Sequence, residues 1–233
     1  MNMKKYIIAG TFLILCSGLL AIEYAGKNSK QPYAEVENLS QPQSQAKVKR
    51  GKGKVLVAYF SVPERDGVDA VAGASRIVSK GKVTGNTQYV ASVISEATGG
   101  QLFEIKTTYT YPASHKALID AAKKEIDKKA RPKLATHIKN LKDYDVVFVG
   151  FPNWWYDMPM PVYSFFDEYD FKGKTIIPFC THGGSRFSGA IKTIRNMEKQ
   201  ATVLDGYAIA RERVNGSKDG ILSWLKRIGM HNK

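Results

Sequence analysis

Residues 145–156 read Asp145-Val146-Val147-Phe148-Val149-Gly150-Phe151-Pro152-Asn153-Trp154-Trp155-Tyr156. After Asp145 the stretch is an unbroken apolar run, dense in β-formers and without polar alternation, up to Phe151. Such a strand suits burial on both faces, inside a parallel sheet covered by helices. The run then stops at a proline and an asparagine and places three aromatic residues in a row. Aromatics at the carboxyl end of a strand are poorly placed for a simple core and suit a flat heteroaromatic ring. The competing reading is that one tryptophan of the pair packs under the following helix.

Outward from this strand the same grammar repeats. Residues 55–60 (Val55-Leu56-Val57-Ala58-Tyr59-Phe60) form an earlier run that ends at Ser61. Residues 87–97 have helical spacing, with Val90, Val93, Ile94 and Ala97 on one stripe and Gly99-Gly100 as a stop. Residues 102–105 predict a second strand and residues 114–129 a long basic helix with Leu118, Ile119, Ala122 and Ile126 inward. The run at 145–151 is the third strand, and a helix over 162–169 follows. Residues 174–180 predict the fourth strand, residues 188–199 a helix, and Val203 with residues 207–209 a fifth strand. A last helix over 217–228 carries Ile221, Leu222, Trp224, Leu225 and Ile228. Strand and helix alternate about five times, which predicts an α/β fold: a five-stranded parallel sheet, doubly wound, in three layers. Ligands of such sheets bind beyond the carboxyl ends of the strands. Chemistry is therefore sought just after strands one, three and four.

The chain has 233 residues, a length for one domain with a tail, and its 43% hydrophobic and 24% charged content is that of a globular protein. Of two cysteines, Cys16 lies in an N-terminal apolar run, which leaves Cys180 without a partner inside the domain. The net charge is +14, from 35 Lys+Arg and 21 Asp+Glu. Residues 1–53 hold 8 basic and 3 acidic residues (+5), and the remaining 27 and 18 give the domain +9 of its own. A basic field attracts anionic lipid, nucleic acid or an acidic protein, although solvated lysines on helix faces also account for it. There are no zinc-knuckle cysteines and no RNA-binding aromatic motif, so nucleic acid is not an expected partner.

Lys4-Lys5 precede an apolar run over residues 6–22, the pattern of a secretory signal and long enough for a membrane span. Leu15 before Cys16 does not suit a lipoprotein signal, and neither Ala21 nor Ala25 completes a good cleavage site. Residues 1–25 are therefore expected to be a signal peptide or an uncleaved membrane anchor. Its place at the N-terminus favours export, with the domain outside the cytoplasm, while lysines on both sides leave the orientation undecided. Residues 26–53 are polar and lack apolar periodicity, as in a disordered basic linker, and residues 54–233 form the domain. The polybasic end of the linker could touch anionic headgroups or serve as a plain tether.

Three loops carry the candidate chemistry. Strand one is followed by Ser61, then by residues 62–82, then by Thr84-Gly85-Asn86-Thr87 at a helix start. That tetrapeptide offers hydroxyls and backbone N–H groups to a phosphate, and the alternative is that Thr84 or Asn86 merely caps the helix. Residues 62–82 show neither an apolar stripe nor strand alternation and read as a surface excursion whose ends meet again, with Arg76, Lys80 or Lys82 as optional helpers to a phosphate. Strand three is followed by Pro152, Asn153, Trp154, Trp155 and Tyr156. Strand four is followed by Thr181-His182-Gly183-Gly184-Ser185, where glycines permit a tight loop that presents N–H groups to ring carbonyl oxygens. A lone loop histidine such as His182 is more often structural than catalytic. The four histidines lack metal-ligand spacing, so no metal is expected and no catalytic residue is assigned.

Together these stretches resemble the flavodoxin family from about Lys54 to the C-terminus. The most specific pieces are Val55-Leu56-Val57-Ala58-Tyr59-Phe60-Ser61, Thr84-Gly85-Asn86-Thr87, Gly150-Phe151-Pro152-Asn153-Trp154-Trp155, and Gly173-Lys174-Thr175 leading to Pro178-Phe179-Cys180-Thr181-His182-Gly183-Gly184-Ser185. The resemblance implies the strand order 2-1-3-4-5 and the cofactor flavin mononucleotide (FMN). It implies that Ser61, Thr84, Gly85, Asn86 and Thr87 take the phosphate, while Pro152 to Tyr156 and Thr181 to Ser185 flank the ring. The phosphate loop departs from the family pattern by its interruption at 62–82, and the domain is basic where many carrier flavodoxins are acidic. The implied function is electron transfer to or from a redox partner protein. The alternative is an NAD(P)H-dependent FMN oxidoreductase acting on quinones or similar small-molecule acceptors.

Overall fold

The computed structural model describes residues 47–48, 53–63, 75–79 and 81–231. The expected signal or anchor, most of the linker, and residues 64–74 lie outside the described residues. Of the segment read as linker, Val48 donates its N–H to the Ile228 carbonyl at 2.9 Å and packs on the core. Gly53 donates its N–H to Asp145 Oδ2 at 2.6 Å, at the amino end of the sheet.

The central sheet is built from β1 (Lys54–Tyr59), β4 (Gln101–Glu104), β5 (Tyr144–Pro152), β6 (Thr175–His182), β7 (Thr202–Val203) and β8 (Tyr207–Ala210). Every pairing is parallel, in the order β4-β1-β5-β6, with β7 and β8 both on the free edge of β6. With β7 and β8 as halves of one fifth strand, this is the doubly wound order 2-1-3-4-5. The helices are α1 (Asn86–Thr98), α2 (His115–Asp127), α3 (Met160–Glu168), α4 (Ala190–Met197) and α5 (Lys218–Arg227).

The unbroken apolar runs are explained by two separate cores. Leu56, Ala58, Val147, Val149, Phe151 and Ile176 face one cluster, with Leu118 of α2, Val162 and Phe165 of α3, and Ile194 of α4. Their neighbours Val57, Tyr59, Val146, Phe148 and Ile177 face the other, with Val90 and Ile94 of α1 and Ile221, Trp224 and Leu225 of α5. Side chains alternate across a strand, so a sheet covered on both faces needs apolar residues at every position. Leu56, Val57, Val147, Phe148, Ile176 and Ile177 are all wholly buried.

Two features differ from the sequence reading. The excursion at 62–82 is not featureless. Residues Arg76–Ser79 (β2) and Lys82–Gly85 (β3) pair antiparallel, with Gly81 at φ +75° just before β3. The ladder runs on into α1, because Asn86 N–H donates to the Ser75 carbonyl at 2.8 Å. Thr84 and Gly85 therefore belong to a strand, and Asn86 and Thr87 are the first residues of the helix rather than parts of a free turn. The signal was present in Ile77-Val78 and Val83-Thr84 on either side of Lys80-Gly81, a β-branched pattern around a glycine turn.

The fifth strand is also split. Ile176 pairs with Val203 and Phe179 with Tyr207, so β7–β8 holds one more residue than β6 across the same span. Gly206 absorbs this bulge at φ +75°, and a Cβ there would lie 2.1 Å from the Pro178 carbonyl oxygen. Gly206→Ala is expected to cost on the order of 2 kcal/mol of stability through backbone strain and this contact. Urea unfolding measures it, and a midpoint equal to that of the unaltered protein would show the bulge to be unstrained.

Candidate functional site

A cleft of about 160 Å³ opens at the carboxyl ends of β5 and β6. One wall is the apolar face of α2, where His115, Leu118, Ile119 and Ala122 follow helical i, i+3, i+4, i+7 spacing. The lining continues with Pro152, Asn153, Trp154 and Trp155 at and after the end of β5 and with Thr181, His182 and Gly183 at the end of β6. Ser75 and Arg211 complete the lining.

Hydrogen bonds hold the strand-end loops in place. Asn153 joins the two strand-end loops: its N–H donates to the Thr181 carbonyl at 2.8 Å, and its Nδ2 donates to the Arg186 carbonyl at 2.8 Å and to Ser188 Oγ at 3.3 Å. The loop it holds passes through left-handed backbone at Gly184 (φ +121°), Arg186 (φ +53°) and Ser188 (φ +48°). Cys180 Sγ lies 3.4 Å from the same Arg186 carbonyl, and burial pushes its pKa up, so it stays a protonated thiol. Thr87 Oγ1 lies 2.9 Å from Thr181 Oγ1, a buried bond that ties the start of α1 to the end of β6.

His182 is buried, and its Nδ1 accepts the Gly184 N–H at 2.9 Å. Burial lowers its pKa, Arg186 lowers it further, and Glu212 opposes them. The side chain is thus a neutral imidazole with its proton on Nε2, a hydrogen-bond donor.

The aromatic loop is a tight hairpin. Trp154 and Asp157 exchange two backbone hydrogen bonds at 3.0 Å, with Trp155 (φ +52°) and Tyr156 (φ +65°) at the tip. Two successive positive φ values are the backbone of a type I′ turn, which favours Asn-Gly and strains bulky residues. Asp157 braces the turn: Oδ1 accepts the Met158 N–H and Oδ2 accepts the Tyr163 hydroxyl, each at 2.7 Å.

The two tryptophans part company. Trp154 stands edge-on to Phe60 and Tyr111, with ring centroids 5.3 and 5.7 Å away. It packs on these rings and against the apolar cluster that includes Val162 and Phe165 of the following helix. Trp155 is 46% exposed and donates its indole N–H to the Ile119 carbonyl of α2 at 3.1 Å.

Of the residues singled out in the sequence, Pro152, Asn153, Trp154, Trp155, Thr181, His182 and Gly183 line the cleft, whereas Tyr156, Gly184 and Ser185 do not. Tyr156 is 73% exposed at the turn tip. Ser61, Thr84, Gly85, Asn86 and Thr87 are also outside the lining and form a second group beside it. Within that group the two ends of the excursion meet: a Cβ on Gly85 would lie 2.1 Å from Ser61 Oγ. The strand-end search missed Arg211, Ser75 and the wall from α2. Arg211 follows the fifth strand, whose carboxyl end lies at the same edge of the sheet, and the amphipathic face of α2 was already readable.

The lining suits a flat ring with polar atoms along one edge. Leu118, Ile119 and Ala122 of α2 and the two tryptophans make much of the lining apolar, and Asn153, His182 and Arg211 add polar groups to it. This donor set fits a flavin ring. Among the described residues no group of three or more His, Cys, Asp or Glu could hold a metal ion.

A flavodoxin family model matches residues 75–228, well over half of the chain. Among solved structures the chain is similar to a protein of Bacteroides uniformis assigned as a flavoprotein, at 29% identity and TM-score 0.58, over 75% of this chain and 98% of that one. A protein of Bacteroides eggerthii with the same assignment matches at 26% identity and TM-score 0.58, over 76% and 98%. A flavoprotein of Lactobacillus acidophilus, solved in complex with FMN, shares the fold at 19% identity and TM-score 0.51, over 72% and 97%. A comparison with curated proteins finds no match.

Two outcomes are expected from this geometry. Tyr156→Gly should stabilise the protein by about 1 kcal/mol by relieving left-handed strain, measured by thermal or urea unfolding; a loss of stability would show that the tyrosine ring, not the backbone, governs the turn. The second concerns His182. A lowered folded-state pKa means that its contribution is fully present above the unfolded value, about 6.5, and is lost as pH falls through the lower folded value. His182→Asn should therefore flatten the acid side of the stability profile below about pH 6.5, and an unchanged slope would contradict the assignment.

Proposed function

The chain belongs to the flavodoxin family, and on that premise we propose that it binds FMN in this cleft and passes electrons to or from a redox partner. The observation that carries the reading is the joining of apolar and tryptophan side chains with polar groups on one lining at the carboxyl ends of β5 and β6. When bound, FMN supplies the redox chemistry, and the protein supplies position and electrostatics.

The residues divide the work. Leu118, Ile119 and Ala122 of α2 exclude water from one side of the slot, and Trp155 gives it an aromatic edge. His182 holds its proton at Nε2 and offers it as a hydrogen-bond donor. Asn153 fixes the spacing of the loops at 152–156 and 181–185 through its three bonds. Ser61, Thr84, Gly85, Asn86 and Thr87 are assigned to the phosphate. That assignment is supported by the close approach of Ser61 Oγ to Gly85 and by the start of α1, where amides beyond Asn86, whose own N–H is given to the Ser75 carbonyl, have no intrahelical acceptor. The hydroxyl of Thr87 is already engaged with Thr181, so its backbone amide is the more available donor. The exposed Trp155 and Tyr156 at the rim offer a surface to a redox partner.

Calorimetric titration of the protein with FMN should saturate at one to one, and absence of saturable binding would sink the proposal. Trp155→Ala should weaken FMN by about 1 kcal/mol, roughly fivefold. Trp154→Ala should act mainly on thermal stability, because that ring packs on Phe60 and Tyr111. Equal effects of the two changes on FMN would refute the division. Anaerobic addition of NADPH to the loaded protein separates a carrier from an oxidoreductase: bleaching of the flavin absorbance would place it among the latter.

A further inference from the structure

Among the described residues that line the cleft there is no carboxylate, and Arg211 is the sole permanent charge. The guanidinium is placed rather than loose. A methyl group on Gly183 would lie 3.3 Å from Arg211 Cζ and Nη1, so the group rests on the backbone of the loop after β6. Arg211 Nε donates to Glu212 Oε1 at 2.9 Å, which fixes its orientation. The two partners differ in surroundings: the Arg211 side chain is 30% exposed and lines the cleft, whereas Glu212 is 60% exposed and does not. Water therefore screens the carboxylate more than the guanidinium. The nearby imidazole of His182 is held neutral and adds no charge. Of this ion pair, the cation is the partner that borders the cleft.

A flavin ring reduced by two electrons with uptake of one proton gains one negative charge. A fixed cation beside the ring favours that reduced form, and charge near the ring is one of the means by which a protein sets its potential. We propose that Arg211 is the countercharge of the bound flavin, that it raises the two-electron midpoint potential, and that Glu212 moderates it. The inference rests on the proposal that the cleft holds FMN.

The test uses the full chain loaded with FMN and equilibrated with redox dyes under anaerobic conditions, alongside calorimetric affinities for oxidised FMN. Arg211→Gln should reduce the preference for reduced over oxidised FMN about tenfold, which for a two-electron couple is a fall of about 30 mV. Glu212→Gln should move the potential upward, and Arg211→Lys should keep most of the unaltered value. Opposite shifts from neighbouring residues are not expected of a structural role. An unchanged potential in Arg211→Gln, or a shift of the same sign in both Gln variants, overturns the inference while leaving FMN binding intact. If Arg211→Gln does not fold, Glu212→Gln decides alone: a rise supports the inference and no rise overturns it. If the unaltered chain fails to bind FMN, the functional proposal and this inference fall together.

Discussion

Burial of the central sheet on both faces is the constraint from which the rest of the structure follows. Apolar side chains occupy consecutive positions of β1, β5 and β6, and the strand backbones satisfy one another. Polar chemistry is thereby driven to the strand ends. The carboxyl ends are where β5 and β6 overrun their cores by a few residues and deliver Asn153, Thr181 and His182. The amino ends receive the incoming chain instead, at Gly53 and Val48. One edge of the sheet thus handles entry of the chain and the opposite edge carries the cleft.

A strand end alone would leave its loops loose, and here they are held by strain and by hydrogen bonds acting together. Trp155, Tyr156, Arg186 and Ser188 all adopt left-handed backbone that non-glycine residues resist. Each such residue costs on the order of 1–3 kcal/mol, so it persists only where the surroundings over-determine it. The surroundings are visible: Asp157 with Tyr163 on one loop, and Asn153 spanning to the other. A loop fixed in this way presents its indole and imidazole in one arrangement before any ligand arrives, which lowers the entropy lost on binding.

This division also decides what the sequence could disclose. The five-strand alternation was legible because double burial writes itself as unbroken runs, and the helices were legible because their stripes are regular. Bounds differ by a residue or two, as at β4, read as 102–105 and found at Gln101–Glu104. The β2–β3 pair was not read, because its strands are short and pack only one apolar residue inward, Ile77, while Val78 and Val83 remain exposed. The cleft was legible where it depends on strand ends, in Pro152 to Trp155 and Thr181 to Gly183. Arg211 was not, because its role comes from tertiary approach: a 3-10 turn after β8 lays the guanidinium over Gly183, and no local pattern announces that. Likewise the sequence could not tell Trp154 from Trp155, since their different fates are set by Phe60, Tyr111 and the Ile119 carbonyl.

The same distinction between local and distant charge bears on how the overall +14 should be understood. Several of its lysines are exposed and paired along α2, as Lys116 with Asp120 and Lys123 with Asp127. Exposed pairs of this kind contribute little energy each and are screened within about 10 Å at ordinary salt. They shape the field that an approaching partner meets, and so act on encounter rates. Arg211 is different in kind, because it is partly withdrawn from water and borders the slot itself. The net charge of the chain and the charge on the lining of the cleft are therefore separate properties, the first of the surface field and the second of the site. A basic surface by itself would not have implied a cation on the cleft, since a single carboxylate on the lining would have cancelled the charge of Arg211.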